Sequence, residues 1–162
     1  MKSTLLSLSQ MGVVAYCADE CRRQESGEMS VLWMLKAYQH LAEQADLATA
    51  SGARLVLTSN LIEELYALVE PEKNKRGYRQ TNVVVAGKPI GWENIPRQMD
   101  SLVSAQTELS PVEFYTEFEL IHAGADGNGR VGSLLYNYLS GSLGTPVAPP
   151  DVFNVTKEND HV

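Results

Sequence analysis

SPVEFYTEFELIHAGADGNGRVGSLLYNYL (Ser110–Leu139) reads as two amphipathic helices joined by a glycine-rich turn. Ser110-Pro111-Val112-Glu113 has the Ser-x-x-Glu form of a capping box, with proline at the first helical position, where a missing N–H costs nothing. Phe114, Tyr115, Phe118 and Ile121 make the apolar face behind it. The second helix carries Val131, Leu134, Leu135, Tyr138 and Leu139 on one side. Between them lies His122-Ala123-Gly124-Ala125-Asp126-Gly127-Asn128-Gly129-Arg130. A loop placed there presents backbone N–H groups at a helix N-terminus. The helix dipole favours an anion at that end, and glycines let a ligand approach the main chain.

Working outward, helical periodicity dominates. Residues 5–22 carry a ragged stripe of Leu5, Leu8, Val13, Tyr16 and Cys17. Residues 30–50 are clearer, with Val31, Met34, Leu35, Tyr38, Leu41, Ala42 and Ala45 on one face, Ser30 as the expected cap and Ser51-Gly52 as the stop. A shorter helix is expected at 59–69, capped by Thr58 or Ser59 and stopped by Pro71. The β-branched run Arg79 to Ala86, the turn Gly87-Lys88-Pro89 and a return near Ile90-Gly91-Trp92 predict one small hairpin. One hairpin cannot support a sheet-based core. Residues 95–104 resume helix, with Asn94 as cap and Ile95, Met99, Leu102 and Val103 inward. The tail after Gly141 is expected to pack in extended form and end in disorder. The expected fold is all-α: a mainly helical bundle with one β-hairpin, as a single domain over residues 1–162. Its core lies at about 55–140, with N-terminal helices at 5–50 and a tail at 142–162.

The 162 residues include 44% apolar and 20% charged side chains, an ordinary globular balance, with a net charge of −7. An acidic surface repels phosphate backbones, so a nucleic-acid groove would need a basic patch. The densest basic stretch, Lys73-Asn74-Lys75-Arg76, reads as a solvated loop. Met1 to Leu6 starts like a signal peptide, but Ser7, Ser9 and Gln10 interrupt the apolar run. No stretch approaches the ~20 apolar residues of a membrane span. A cytoplasmic protein is expected, without nucleic-acid or membrane partners. Cys17 and Cys21 read as reduced thiols, and Asn154-Val155-Thr156 as a glycosylation acceptor without meaning unless the chain is secreted.

The side chains of the central loop supply the rest of a phosphate site. Asp126 can hold Mg²⁺, Asn128 can donate to a phosphate oxygen, and Arg130 can fork onto two oxygens. His122 can act as a base near neutral pH. Blander readings stand beside this one. Asp-Gly-Asn-Gly is also a turn sequence, and a lone histidine is more often structural than catalytic. Three known loops are excluded. An EF-hand counted from Asp126 would place Val131 where glycine is obligatory. A Walker loop needs Gly-Lys-Ser/Thr, and a Rossmann loop follows a strand rather than a helix.

His122 through Arg130 resembles the Fic motif, His-Pro-Phe-x-Asp/Glu-Gly-Asn-Gly-Arg-x-x-Arg. Leu57 to Leu65 looks like the helix before that family's flap, Gly77-Tyr78-Arg79 through Val85 like the flap, and Pro96 to Val103 like the helix after it. The resemblance spans roughly residues 55–140. It implies a protein nucleotidyltransferase that moves AMP from ATP to a hydroxyl of a target protein. His122 is then the general base and Asp126 the Mg²⁺ ligand. Asn128, with the backbone of Gly127 and Gly129, holds the transferred phosphate and its neighbour, and Arg130 neutralises the leaving phosphates. Val83, Val84 and Val85 pair with an extended target segment by strand addition, against the plainer reading of an ordinary buried strand.

Three positions depart from the motif. Ala123 replaces proline. Gly124 replaces a phenylalanine that anchors the loop, which predicts either a loosened loop or a gap filled by neighbours. Ser133 replaces a second arginine that grips the terminal phosphate and pairs with an inhibitory glutamate. The glutamate motif itself is not found: Ser59 to Glu63 has its spacing but is followed by Glu64, and Asn154 to Glu158 lacks the hydroxyl. The implied enzyme is therefore always on, controlled by a separate inhibitory protein, or uses another donor. Two alternatives stay open: a weak or inactive binding module of the same fold, and a relative with different transfer chemistry.

Overall fold

The computed structural model describes residues 8–153. The apolar start at Leu5, the sequence Asn154-Val155-Thr156 and the end of the tail lie outside the described residues. Within them the protein is mainly helical. Its elements are α1 (Leu8–Arg23), α2 (Glu28–Ala50), α3 (Ser59–Val69), β1 (Val83–Val85), β2 (Lys88–Ile90), α4 (Ile95–Ser104), α5 (Pro111–Ile121) and α6 (Asn128–Leu139).

Side-chain caps set two of the helix starts. Thr58 accepts the Leu61 N–H and caps α3. Ser110 and Glu113 form both halves of the capping box on α5, a device worth ~1 kcal/mol. Two expected caps differ. Helix α2 starts at Glu28, with Gly27 as an N-cap in extended backbone, and Ser30 is buried within the first turn. A glutamate at the positive end of a helix dipole extends it by a turn. Asn94 precedes α4 but makes no side-chain cap bond, its backbone lying at φ −95° and ψ 2°.

The hairpin is two three-residue strands in register Val83↔Ile90, Val84↔Pro89 and Val85↔Lys88. Ala86 (φ 49°) and Gly87 (φ 78°) form the turn, so Lys88 and Pro89 belong to β2 and the return strand ends at Ile90. Left-handed backbone at both turn residues matches the twist of the strands, which is why the tighter turn wins.

Helix α6 packs on α5, α3 and α2. Its Val131, Leu134 and Leu135 meet a core that includes Phe114, Phe118, Leu65 and Met34, all essentially inaccessible. Full burial of side chains this size stabilises by ~1.5–3 kcal/mol each. The tail is tied down where described: Asn137 of α6 accepts the Val147 N–H (2.8 Å) and donates to its carbonyl (2.9 Å). Cys17 and Cys21 are free and buried, and burial pushes the Cys17 thiol up to about 12. Among the described residues, no helix is long and apolar enough to cross a membrane.

Candidate functional site

Residues 122–130 connect α5 to α6 at one end of the helix pair. His122 ends α5 in left-handed backbone, φ 51° and ψ 54°, and Gly127 opens α6 in the same region, φ 79°. The first intrahelical bond of α6 runs from the Val131 N–H to the Gly127 carbonyl (3.0 Å). The N–H groups of Asn128, Gly129 and Arg130 therefore precede the ladder, and none has an acceptor among the described residues.

Glycine is required by close approach at Gly124 and Gly127, whereas a Cβ at Gly129 would only displace the end of the Gln24 side chain. A Cβ at Gly124 would lie 2.4 Å from Tyr66 Cε1, one at Gly127 2.8 Å from Val69 Cγ2, and one at Gly129 2.6 Å from Gln24 Oε1. Gln24 follows α1, so the N-terminal helix reaches the mouth of the loop. The Gly124 contact decides between the two expectations for that position. The gap is filled: Tyr66 of α3 is 2% exposed, stacks on Phe118 at 5.9 Å and meets Tyr78 edge-on at 6.2 Å.

The loop is fastened by Asn74, which is 2% exposed. Its Nδ2 donates to the Tyr66 and Asp126 carbonyls (3.0 and 2.9 Å), and its Oδ1 accepts the N–H groups of Ala125 and Asp126 (3.1 and 3.3 Å). The expected solvated loop at 73–76 holds at Lys73, Lys75 and Arg76, which are exposed, and is corrected at Asn74, which turns inward to pair backbone groups of the neighbouring loop. Lys73 beside it is exposed and donates to Asp126 Oδ2 at 2.7 Å.

The expected residues His122, Asp126, Gly127, Asn128, Gly129 and Arg130 lie along this loop and the start of α6, in unequal states, while Val83 to Val85 form β1. Asn128 is buried and committed. Its Oδ1 accepts the Tyr66 hydroxyl (2.7 Å) and the Gly124 N–H (2.9 Å), and its Nδ2 donates to the Gly124 carbonyl (3.0 Å). Arg130 is buried too: Nη1 donates to the Val69 carbonyl (2.9 Å), and Nη2 faces Glu70 at 3.4 Å and Asp126 at 3.5 Å. It thus closes the C-terminus of α3, while its Nε has no partner among the described residues. Asp126 is half-exposed. Burial works to raise its pKa, but the Lys73 and Gly127 hydrogen bonds and the nearby cations prevail and lower it.

His122 is half-buried, and its Nδ1 is shut from solvent without a hydrogen-bond partner among the described residues. Burial lowers its pKa, the Arg79 cation lowers it further, and the Glu119 carbonyl and Asp126 pull weakly the other way. A neutral imidazole at neutral pH follows. Ser133 is wholly buried and donates to the Arg130 carbonyl (2.9 Å); with Asn137 it lies against Tyr16 of α1. Helix α1 therefore covers position 133, where the motif has its phosphate-gripping arginine. Val84 is 70% exposed and Val85 buried, so the flap strand is one-sided, and among the described residues β1 pairs only with β2.

Sequence reading missed Asn74, Tyr66, Arg79, Glu119 and Gln106. Gln106 pairs with both the N–H and the carbonyl of Leu57 (2.9 Å each). None carries a local motif. Tyr66, Asn74, Arg79 and Gln106 are set apart by polar groups whose partners lie tens of residues away, and Glu119 by a carboxyl buried by distant packing. Compared with known proteins, the chain matches no protein-family model and no curated protein.

Proposed function

We propose that the chain is a Fic-like protein nucleotidyltransferase that moves AMP from ATP to a hydroxyl of a target protein. The observation that carries the proposal is the start of α6. Three consecutive N–H groups without acceptors stand at the positive end of a helix dipole. The unfilled Nε donor of buried Arg130 belongs to the same turn. In this proposal the transferred phosphate sits on those N–H groups, between Gly127 and Gly129. The target hydroxyl attacks phosphorus, pyrophosphate leaves, and neutral His122 takes the hydroxyl proton. An extended target segment adds to the open edge of β1 at Val83 to Val85. The expected cytoplasmic setting and control by a separate inhibitory protein belong to the same proposal.

Among the described residues, no group of three His, Cys, Asp or Glu could hold a metal ion. Mg²⁺ is commonly held by one or two carboxylates plus substrate phosphates. Asp126, half-exposed and held at its Oδ2 only by the surface Lys73, fits as that single carboxylate. The ion would supply charge neutralisation for the phosphates.

A second proposal is favoured by the commitments of Asn128 and Arg130: a weak or non-catalytic module, or a relative using another donor or transfer chemistry. Labelled ATP separates the two. Transfer of α-label to a target, reduced roughly 10²–10⁴-fold in His122→Ala with nucleotide binding retained, supports AMP transfer. γ-Label on the target means phosphorylation. Binding without either label means a module or another donor.

A further inference from the structure

We propose that Arg79 is the positioning residue of this site, locking His122 into its left-handed turn and tying the root of the β1–β2 hairpin to it. The inference rests on the reading of His122 as the general base. Arg79 is 4% exposed and lies just before the hairpin. Its backbone N–H donates to the Ala123 carbonyl at 2.9 Å. Its Nε donates to the His122 carbonyl (2.6 Å), its Nη1 to Thr81 (2.6 Å), and its Nη2 to Gly91 (2.9 Å) and Ile121 (3.3 Å). Thr81 and Gly91 stand just outside the two strands, one on each leg. A single planar group thus grips both legs of the hairpin and the last carbonyls of α5. Only a guanidinium has the fixed fork for that pattern.

Two features separate Arg79 from ordinary packing. It has no carboxylate partner among the described residues; only carbonyls meet its charge, two of them at the negative end of the α5 dipole. A buried cation without a counter-ion is costly, so a site that keeps one is using it. Its neighbour His122 holds a backbone conformation that residues other than glycine avoid, and Arg79 binds that residue's own carbonyl. The charged groups bearing on the imidazole are Arg79 and Asp126, and Arg79 acts with burial to keep the ring neutral. A proton acceptor needs that form. A segment docked on β1 is, through the same clamp, held at a set distance from His122.

The test uses two variants and needs no nucleotide for its main readout. Arg79→Met removes charge and fork, and Arg79→Lys keeps the charge but loses the fork. By NMR, His122 is expected to titrate roughly half a unit or more higher in Arg79→Met than in the natural protein. In Arg79→Lys, amide exchange at His122 and Val85 is expected to quicken at least tenfold. Target labelling should fall at least tenfold while nucleotide affinity stays within twofold. Equal His122 titration in Arg79→Met, or natural exchange and labelling in Arg79→Lys, overturns the proposal. Should Arg79→Met fail to fold, the lysine variant decides alone. If the natural protein transfers no label, the base reading falls while titration and exchange still judge the clamp.

Discussion

The ring of Tyr66 occupies the space that a side chain at Gly124 would need: a Cβ there would lie 2.4 Å from Cε1 and 2.6 Å from Cδ1. The same tyrosine donates its hydroxyl to Asn128, which in turn bonds both the N–H and the carbonyl of Gly124. An aromatic ring from α3 and a bare backbone in the loop are therefore one packing solution. It makes the loop rigid where a glycine alone would loosen it.

Gly124→Ala should destabilise the protein by about 1–3 kcal/mol, the range for overpacking a closed site. The cost should shrink in a Tyr66→Ala background without vanishing, because the Asp126 carbonyl also lies 2.9 Å from the new atom. Urea unfolding of the two singles and the double gives the coupling, expected at about 1 kcal/mol or more. Additive effects would mean that the ring and the loop pack independently.

Asn74→Ala leaves two loop N–H groups and two carbonyls without their side-chain partner. The expected loss is ~2–4 kcal/mol, since unsatisfied buried groups cost ~1–3 kcal/mol each and do not add fully. Amide exchange at Ala125 and Asp126 should quicken more than exchange in α2. Uniform acceleration would assign Asn74 a merely global role.

Ser133→Arg tests where position 133 points. The motif places a phosphate-gripping arginine there, whereas the fold places a serine with no exposed surface against Tyr16. A guanidinium forced into that space should destabilise by about 3 kcal/mol or more. Ser133→Ala should cost only about 1 kcal/mol, the loss of one hydrogen bond. A stable Ser133→Arg protein with a new preference for triphosphate over diphosphate would show that α1 swings away from α6.

Glu119 sets a pH dependence with a defined sign. It is 4% exposed, its Oε1 has no partner among the described residues, and burial raises its carboxyl from 4.5 to about 7. The folded chain thus keeps a proton that the unfolded chain has already lost. Its contribution to stability is full below about 4.5 and lost as pH rises to about 7. Glu119→Gln should remove that slope, seen as the difference in urea midpoints between pH 5 and 8. Parallel pH profiles for the two proteins would mean that Glu119 is ionised in the fold.

Much of this architecture is legible in the chain itself. The capping box at Ser110, the stripes on α3 and α4 and the β-branched run before Gly87 are local signals, because each depends on residues within one or two turns of each other. The loop was legible for the same reason: a helix end, glycines and a helix start lie within nine residues. What escaped was how the polar side chains are spent. Asn128 and Arg130 carry donors that suit a phosphate, but the fold turns Asn128 back onto Gly124 under the Tyr66 hydroxyl and sets Arg130 against Val69 and Glu70, and Tyr66, Val69 and Glu70 stand 60 or more residues away. Asn74 and Arg79 likewise look like loop residues until the fold buries them against backbone groups of α3, the loop and the hairpin. Composition and spacing specify which groups a residue carries. Only tertiary packing decides which of those groups lose water and must be paired, and that decision placed Ser133 under α1 and made Arg79 the clamp on His122.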